Sequence, residues 1–214
     1  MNTLIINGGN IDFDFALAFM KNEKFEFVIA ADKGMEFAQK AGVRPDLIVG
    51  DFDSGRQTAL QYFREQEVEI RTFRPEKDST DMEIAMLAAV ERGSTRITVL
   101  GASGSRLDHV LGSIKNLTIA AKAGVPCVLV DRNNRVRLME RPFSIKKEEQ
   151  FGKYVSLLAF AEPVTGINLK GFFYPLAGYT MESGDAIGIS NEITDEEAFV
   201  EFMTGRLLVI ESRD

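Results

Sequence analysis

The sequence predicts an α/β fold, a parallel sheet flanked by helices, followed by a small all-β sandwich domain. Three observations predict it. The first two-thirds of the chain alternates short β-branched runs with amphipathic segments, the pattern of a parallel sheet covered by helices. Glycine- and aspartate-rich turns follow several of those runs. After Asp131 the helical pattern stops, and short strand-like runs separated by Gly, Pro, Asn and acidic turns take over.

Six runs read as strands of the first domain: Leu4–Ile6, Phe25–Ala31, Leu47–Val49, Val68–Phe73, Ile97–Leu100 and Val125–Val130. Of the segments between them, Thr80–Arg92 is the clearest helix, because Met82, Ala85, Met86, Ala89 and Val90 recur at helical spacing. Thr80 and Glu83 form a T-x-x-E capping box at its start, and Gly93 supplies the stop. Leu107–Ala123 repeats the apolar pattern and closes at Gly124 and Pro126; Lys33–Ala41 closes at Gly42. Beyond Asp131 the strand-like runs are Arg135–Glu140, Tyr154–Phe160, Ile167–Lys170, Ala186–Ser190, Ala198–Met203 and Leu207–Glu211, with no room for a helix of ordinary length. The boundary falls near Arg132–Asn134, giving an α/β domain over 1–132 and an all-β domain over 133–214.

A hydrophobic content of 45% with 27% charged residues supplies a full core and excludes a disordered chain. The net charge of −7, with no basic segment, argues against a nucleic-acid partner and suits a cationic small molecule, although acidity also serves solubility. No apolar run approaches the roughly 20 residues of a membrane helix. The start, MNTLIINGGN, lacks the features of a signal peptide. A single cysteine, Cys127, in an apolar run, allows no internal disulfide and reads as a buried strand residue. Together these give the expectation of a cytoplasmic protein.

The chemistry gathers at strand ends. Leu47–Val49 runs into Gly50-Asp51-Phe52-Asp53-Ser54, at the sheet edge where open α/β sheets bind ligands. If the chain stays extended, Asp51 and Asp53 project to the same side and converge on one hard cation; an Asp-rich turn is the competing reading. The next strand is followed by Asp78 and Asp81, which either complete a metal site or complement a helix N-terminus. Four carboxylates on one edge repel one another without a cation, and Mg²⁺ typically binds through one or two carboxylates plus substrate phosphates. A third strand leads into Gly101–Arg106, where Ser103 and Gly104 let backbone N–H groups approach phosphate and Arg106 can fork onto its oxygens. His109, the single histidine, reads as an orienting or packing residue. The turns Asn7–Asn10 and Ala31-Asp32-Lys33-Gly34 add two loops at the same edge. A G-x-x-x-x-G-K-[ST] loop and a protein-kinase H-R-D signature are both absent, so neither a P-loop NTPase nor a protein kinase is expected.

In combination, ADKG (Ala31–Gly34), GDFDS (Gly50–Ser54), KDSTD (Lys77–Asp81) and SRLDH (Ser105–His109) closely resemble the thiamine pyrophosphokinase family. The likeness continues through Gly171–Leu176 and Gly188–Glu192. Lys33 stands where a second glycine is common in the family, and Ser105 where a glycine is common. The resemblance implies transfer of the diphosphoryl group of ATP to thiamine, giving thiamine diphosphate and AMP, with the second domain binding thiamine. It implies Mg²⁺ held by Asp51, Asp53 and one or both of Asp78 and Asp81, and nucleotide contacts from Asp32, Lys33, Gly34, Ser103, Gly104 and Arg106. It also implies thiamine contacts from Asp108, Tyr174, Ser190 and Asn191, and a homodimer with shared active sites. The residue types suit thiamine: a tyrosine face attracts a thiazolium cation, and Ser190 and Asn191 are able to hydrogen-bond an aminopyrimidine. Without the resemblance, the favoured readings are Tyr174 as a core residue of the second domain and Ser190-Asn191 as a turn after a strand. The rival readings are a haloacid-dehalogenase-like phosphohydrolase, which also presents a D-x-D after a strand, and a nucleotide-sensing module without turnover.

Overall fold

The computed structural model describes residues 1–52, 57–72 and 79–214. The chain folds as two compact units, Met1–Arg132 and Asn133–Asp214. The first runs β1 (Asn2–Ile6), α1 (Phe13–Asn22), β2 (Phe27–Ala31), α2 (Gly34–Ala41), β3 (Leu47–Gly50), α3 (Gln57–Glu65), β4 (Glu69–Thr72), α4 (Asp81–Glu91), β5 (Arg96–Leu100), α5 (Leu107–Lys122) and β6 (Cys127–Val130). All six strands are parallel, in the order β6-β5-β1-β2-β3-β4. Every residue of β3 and all but the first of β1 and β5 are buried, as expected for strands covered on both faces. By the right-handed crossover rule, connections running from β1 to β4 carry helices on one face, and the return to β5 carries them on the other. In keeping with this, α2 packs with α3 and α4 packs with α5.

The helix ends follow local chemistry. Thr80 caps α4 by accepting from the Glu83 N–H at 3.2 Å. Gly42, Gly93 and Gly124 follow helices in the left-handed conformation, with φ of 67°, 79° and 69°. Helices α1 and α3 occupy segments in which the sequence singled out no helix. The first is capped by Asp12, which accepts from the Phe15 N–H at 2.9 Å, and its Phe15 and Phe19 rings stack at 5.9 Å. Cys127, at the start of β6, has its thiol pushed up to about 12 by burial, which makes it unreactive at neutral pH.

The second unit runs β7 (Asn134–Met139), β8 (Phe143–Lys146), a 3₁₀ turn (Lys147–Glu149), β9 (Tyr154–Ala159), β10 (Val164–Lys170), β11 (Leu176–Met181), β12 (Asn191–Glu192), β13 (Glu197–Glu201) and β14 (Leu207–Ser212). These make two antiparallel layers, β12-β9-β14-β7 and β11-β10-β13-β8. Alternate residues of each, among them Val155, Leu157, Leu207 and Val209 from one and Ile167, Leu169, Ala198 and Val200 from the other, share one core. At its end lies Glu211, fully buried, whose carboxylate accepts from Arg135 (2.9 Å), Arg137 (2.7 Å) and the Phe151 N–H (3.0 Å).

One expected strand is corrected. Ala186–Ser190 is a turn, closed by the Ile189 N–H bonding the Ala186 carbonyl at 3.1 Å and ended by Ser190 at φ 57°. It nevertheless lies against β9: the Leu157 N–H donates to the Gly188 carbonyl at 2.8 Å, and a Cβ on Gly188 would stand 2.1 Å from the Leu157 carbonyl oxygen. Among the described residues no helix is long and apolar enough to cross a membrane.

Candidate functional site

The strand order turns at β1, whose neighbours β2 and β5 are reached by connections running in opposite directions. Such a switch point opens a crevice beyond the carboxyl ends of the strands. Here the loops after β1 and β5 are laced together. The N–H groups of Asn7, Gly9 and Asn10 donate to the carbonyls of Leu100, Gly101 and Ser103 at 2.8, 3.0 and 2.7 Å, and the Asn7 side chain donates to the Gly101 carbonyl at 3.1 Å. Only glycine fits between them: a Cβ on Gly9 would lie 2.3 Å from two carbonyl oxygens. The β2–α2 turn is pressed in as tightly. A Cβ on Gly34 would lie 1.9 Å from the Ile6 carbonyl oxygen, so Gly34 sets the shape of the turn through packing. Gly34→Ala is expected to destabilise the protein by about 3 kcal/mol through backbone overpacking, read as a lowered urea midpoint.

These loops floor a cleft of about 640 Å³ in the first unit. Of the described residues predicted for the metal and nucleotide, Asp32, Lys33, Asp51, Asp81, Ser103, Gly104 and Arg106 line it, as do Asp108 and His109. Asp53 and Asp78 lie outside the described residues. Asp32 is itself left-handed (φ 50°), and the Cβ position of Gly8 lies 3.1 Å from its Oδ2, so this carboxylate packs over the β1 loop.

The geometric argument for Asp51 and Asp53 is corrected. Extension fails at Phe52, which is left-handed at φ 54°, buried, with its ring folded back 2.8 Å from where a Gly50 Cβ would be. Strand alternation therefore stops at Asp51. An aromatic residue in this conformation stores strain of about 1–3 kcal/mol, which ring burial offsets.

At the third loop, Arg106 precedes α5 without capping it by its side chain. Its guanidinium forks onto Asp108, Nε to Oδ1 at 3.2 Å and a terminal nitrogen to Oδ2 at 2.5 Å. That hydrogen bonding holds the Asp108 carboxyl below the usual range and raises Arg106 above its own. His109 is exposed on the cleft wall, so it is not a packing residue.

Gly112, one turn into α5, also lines the cleft, and nothing lies within 4 Å of its Cβ position. A glycine inside a helical pattern is the sequence signal for this stretch of wall. Gly112→Ala is expected to raise stability by about 0.5–1 kcal/mol through helix propensity while narrowing the cleft. The check is thermal melting alongside turnover. Asn7–Asn10 also belong to the wall, although the sequence offered them only as a neighbouring loop.

Among the described residues no three acidic, histidine or cysteine side chains form a metal-binding group by themselves. The carboxylates of Asp32, Asp51 and Asp81, which line the cleft, are hard oxygen ligands. That chemistry fits a cation completed by phosphate oxygens and water, as Mg²⁺ requires.

A second cleft, of about 560 Å³, lies in the all-β unit, walled by Tyr174, Pro175, Leu176, Ile187 and Ile189, with Ser190 and Asn191 beside them. Tyr174 is 59% exposed and stands edge-on to Phe173, so it is not a core residue. Ser190 is in a turn, its N–H donated to the Ser156 hydroxyl at 3.0 Å. Asn191 is 3% exposed, with its amide engaged by the backbone of Tyr174 and Glu192.

Comparison with known proteins places this geometry. Residues 19–129 match the family model "Thiamin pyrophosphokinase, catalytic domain", and residues 142–208 match "Thiamin pyrophosphokinase, vitamin B1 binding domain". Thiamine pyrophosphokinase of Bacillus subtilis (strain 168) is 31% identical over 187 residues, covering 87% of each chain. A crystal structure of the Bacillus subtilis thiamine pyrophosphokinase superposes with a TM-score of 0.88 at 28% identity, over the whole of both chains. That of the Geobacillus thermodenitrificans protein gives 0.84 at 30% identity, over 100% of this chain and 98% of the other.

Proposed function

The chain belongs to the thiamine pyrophosphokinase family, whose reaction converts ATP and thiamine to thiamine diphosphate and AMP, and we propose that this protein carries out that reaction in the cleft between the β1 and β5 loops. The observation that carries the reading is the cleft's composition. Four carboxylates, Asp32, Asp51, Asp81 and Asp108, face two cations, Lys33 and Arg106, so a bare polyphosphate would be repelled.

Asp51 and Asp81, with Asp53 and Asp78 of the same two motifs, would hold Mg²⁺. When bound, the ion neutralises the triphosphate and the charge that develops on the departing AMP. Lys33 and Arg106 bind phosphate oxygens from the rim, Arg106 exchanging Asp108 for the ligand. Asp32 contacts the nucleotide beside the glycine loop, and Ser103 and Gly104 present backbone to the phosphates. The α5 N-terminus, where Arg106 supplies no side-chain cap, favours the same anion. The thiamine hydroxyl attacks the β-phosphorus in line with the leaving AMP, a reaction in which alignment and charge stabilisation dominate. Asp81 or Asp108 would accept the alcohol proton, Asp108 being released for it once Arg106 turns to the phosphates. Tyr174 presents its ring to the thiazolium, and Ser190 its hydroxyl to the pyrimidine.

The protein acts as a cytoplasmic homodimer with shared sites, as the resemblance implies. Mixing Asp51→Asn with Tyr174→Ala subunits is expected to restore part of the activity each has lost. The deciding experiment is incubation with ATP, Mg²⁺ and thiamine, and identification of products by mass. Thiamine diphosphate with AMP supports the reading; ADP with thiamine monophosphate, or binding without turnover, defeats it.

A further inference from the structure

Asn191 lies on the wall of the second cleft, yet its polar atoms are turned into the protein. Its Oδ1 accepts from the Tyr174 N–H at 2.9 Å and the Glu192 N–H at 3.0 Å, and its Nδ2 donates to the Tyr174 carbonyl at 2.8 Å. One side-chain amide thus grips both backbone groups of Tyr174, as the facing residue of an antiparallel pair does. Tyr174 needs such a partner because it lies outside any strand. Phe173 still donates to the Glu192 carbonyl at 2.9 Å, but Pro175 has no N–H with which to continue a ladder. The ring carried by this clamped backbone is 59% exposed and braced edge-on by Phe173, centroids 4.9 Å apart.

We infer that Asn191 is a positioning residue: it fixes the Tyr174 backbone so that the ring meets a cationic aromatic substrate already oriented, and it acts on that substrate only through Tyr174. The inference rests on the thiamine reading above. A buried amide with its acceptor doubly occupied would give up existing bonds to reach a ligand, leaving backbone groups unsatisfied at about 1–3 kcal/mol each. Presenting a pre-oriented face to the ligand avoids that loss.

The test is a double-mutant cycle on the full-length protein with Asn191→Ser and Tyr174→Ala. Asn191→Ser alone is expected to raise the KM for thiamine about tenfold, with kcat and the KM for ATP nearly unchanged. In the Tyr174→Ala background it should change the thiamine KM by less than about twofold. In the ligand-free protein, the Tyr174 amide should lose hydrogen-exchange protection in Asn191→Ser while amides of β13 keep theirs. An equal effect on KM in both backgrounds, or unchanged exchange at Tyr174, overturns the inference. A wild-type protein that makes no thiamine diphosphate overturns the functional reading itself, and is told apart by being seen before any variant is made.

Discussion

Replacing Asp51 by asparagine is expected to lower Mg²⁺-dependent AMP release by about 10²–10³-fold while leaving the protein folded. The substitution keeps the shape and removes only the charge. Asp51 is half-buried at the end of a strand whose four residues are all buried, and it faces the cleft, so the core does not sense the change. The loss should appear in kcat and in the Mg²⁺ concentration needed for half-maximal rate, with the urea midpoint shifted by no more than about 0.5 kcal/mol of stability. Asp53→Asn is expected to behave alike on the strength of the shared motif. Ordinary thiamine-dependent turnover by both variants would remove the carboxylates from the mechanism.

The largest stability effect is expected in the other unit, from Glu211→Ala. The carboxylate is 0% exposed and collects three side-chain hydrogen bonds from Arg135 and Arg137 and one from the Phe151 N–H. Removing it leaves two guanidinium groups, each 28% exposed, facing each other with their shared anion gone. Breaking a buried pair in this way costs about 3–5 kcal/mol, enough to consume much of a small domain's stability. Chemical denaturation should show it directly. Because the cluster closes one end of the sandwich core, loss of thiamine turnover should follow loss of folding and not precede it. An unchanged denaturation midpoint would refute this account.

Much of the first unit was legible because buried parallel strands leave an unmistakable trace: β1, β3 and β5 carry short runs rich in apolar and β-branched residues, and α4 and α5 carry their core residues at helical spacing. Helix α1 was not, because Phe15–Met20 is apolar at every position, so no single helical face stands out. In the all-β unit, β8, β11 and β12 escaped notice: one is four residues long, one contains Gly178 and one has two residues. At the site, the loops named by the motifs line the cleft, but three local readings depended on facts no spacing carries. Phe52 breaks the extension assumed for the aspartate pair, since its ring is folded back over Gly50. Asn191 reads as a ligand residue in sequence, while its side-chain amide is bonded to the backbone of Tyr174, 17 residues away. Gly34 is a third case: the turn it belongs to was correctly located, but its necessity lies in a contact with Ile6.

The lacing of the β1 and β5 loops has a consequence for how the protein comes into being on the ribosome. Asn7 and Gly101 are joined by a hydrogen bond across 94 positions, so the cleft cannot form until β5 has emerged. At on the order of 5–20 residues per second, that is roughly 5–20 s after β1 is made. Throughout that interval β1 can pair with β2 on one side only, and its other edge stays open to stray strands. The nascent chain is thus most vulnerable to misassociation along the very strand that later organises its chemistry. Delivery of β5 by the ribosome, more than the chemistry, then sets how soon a new molecule becomes active.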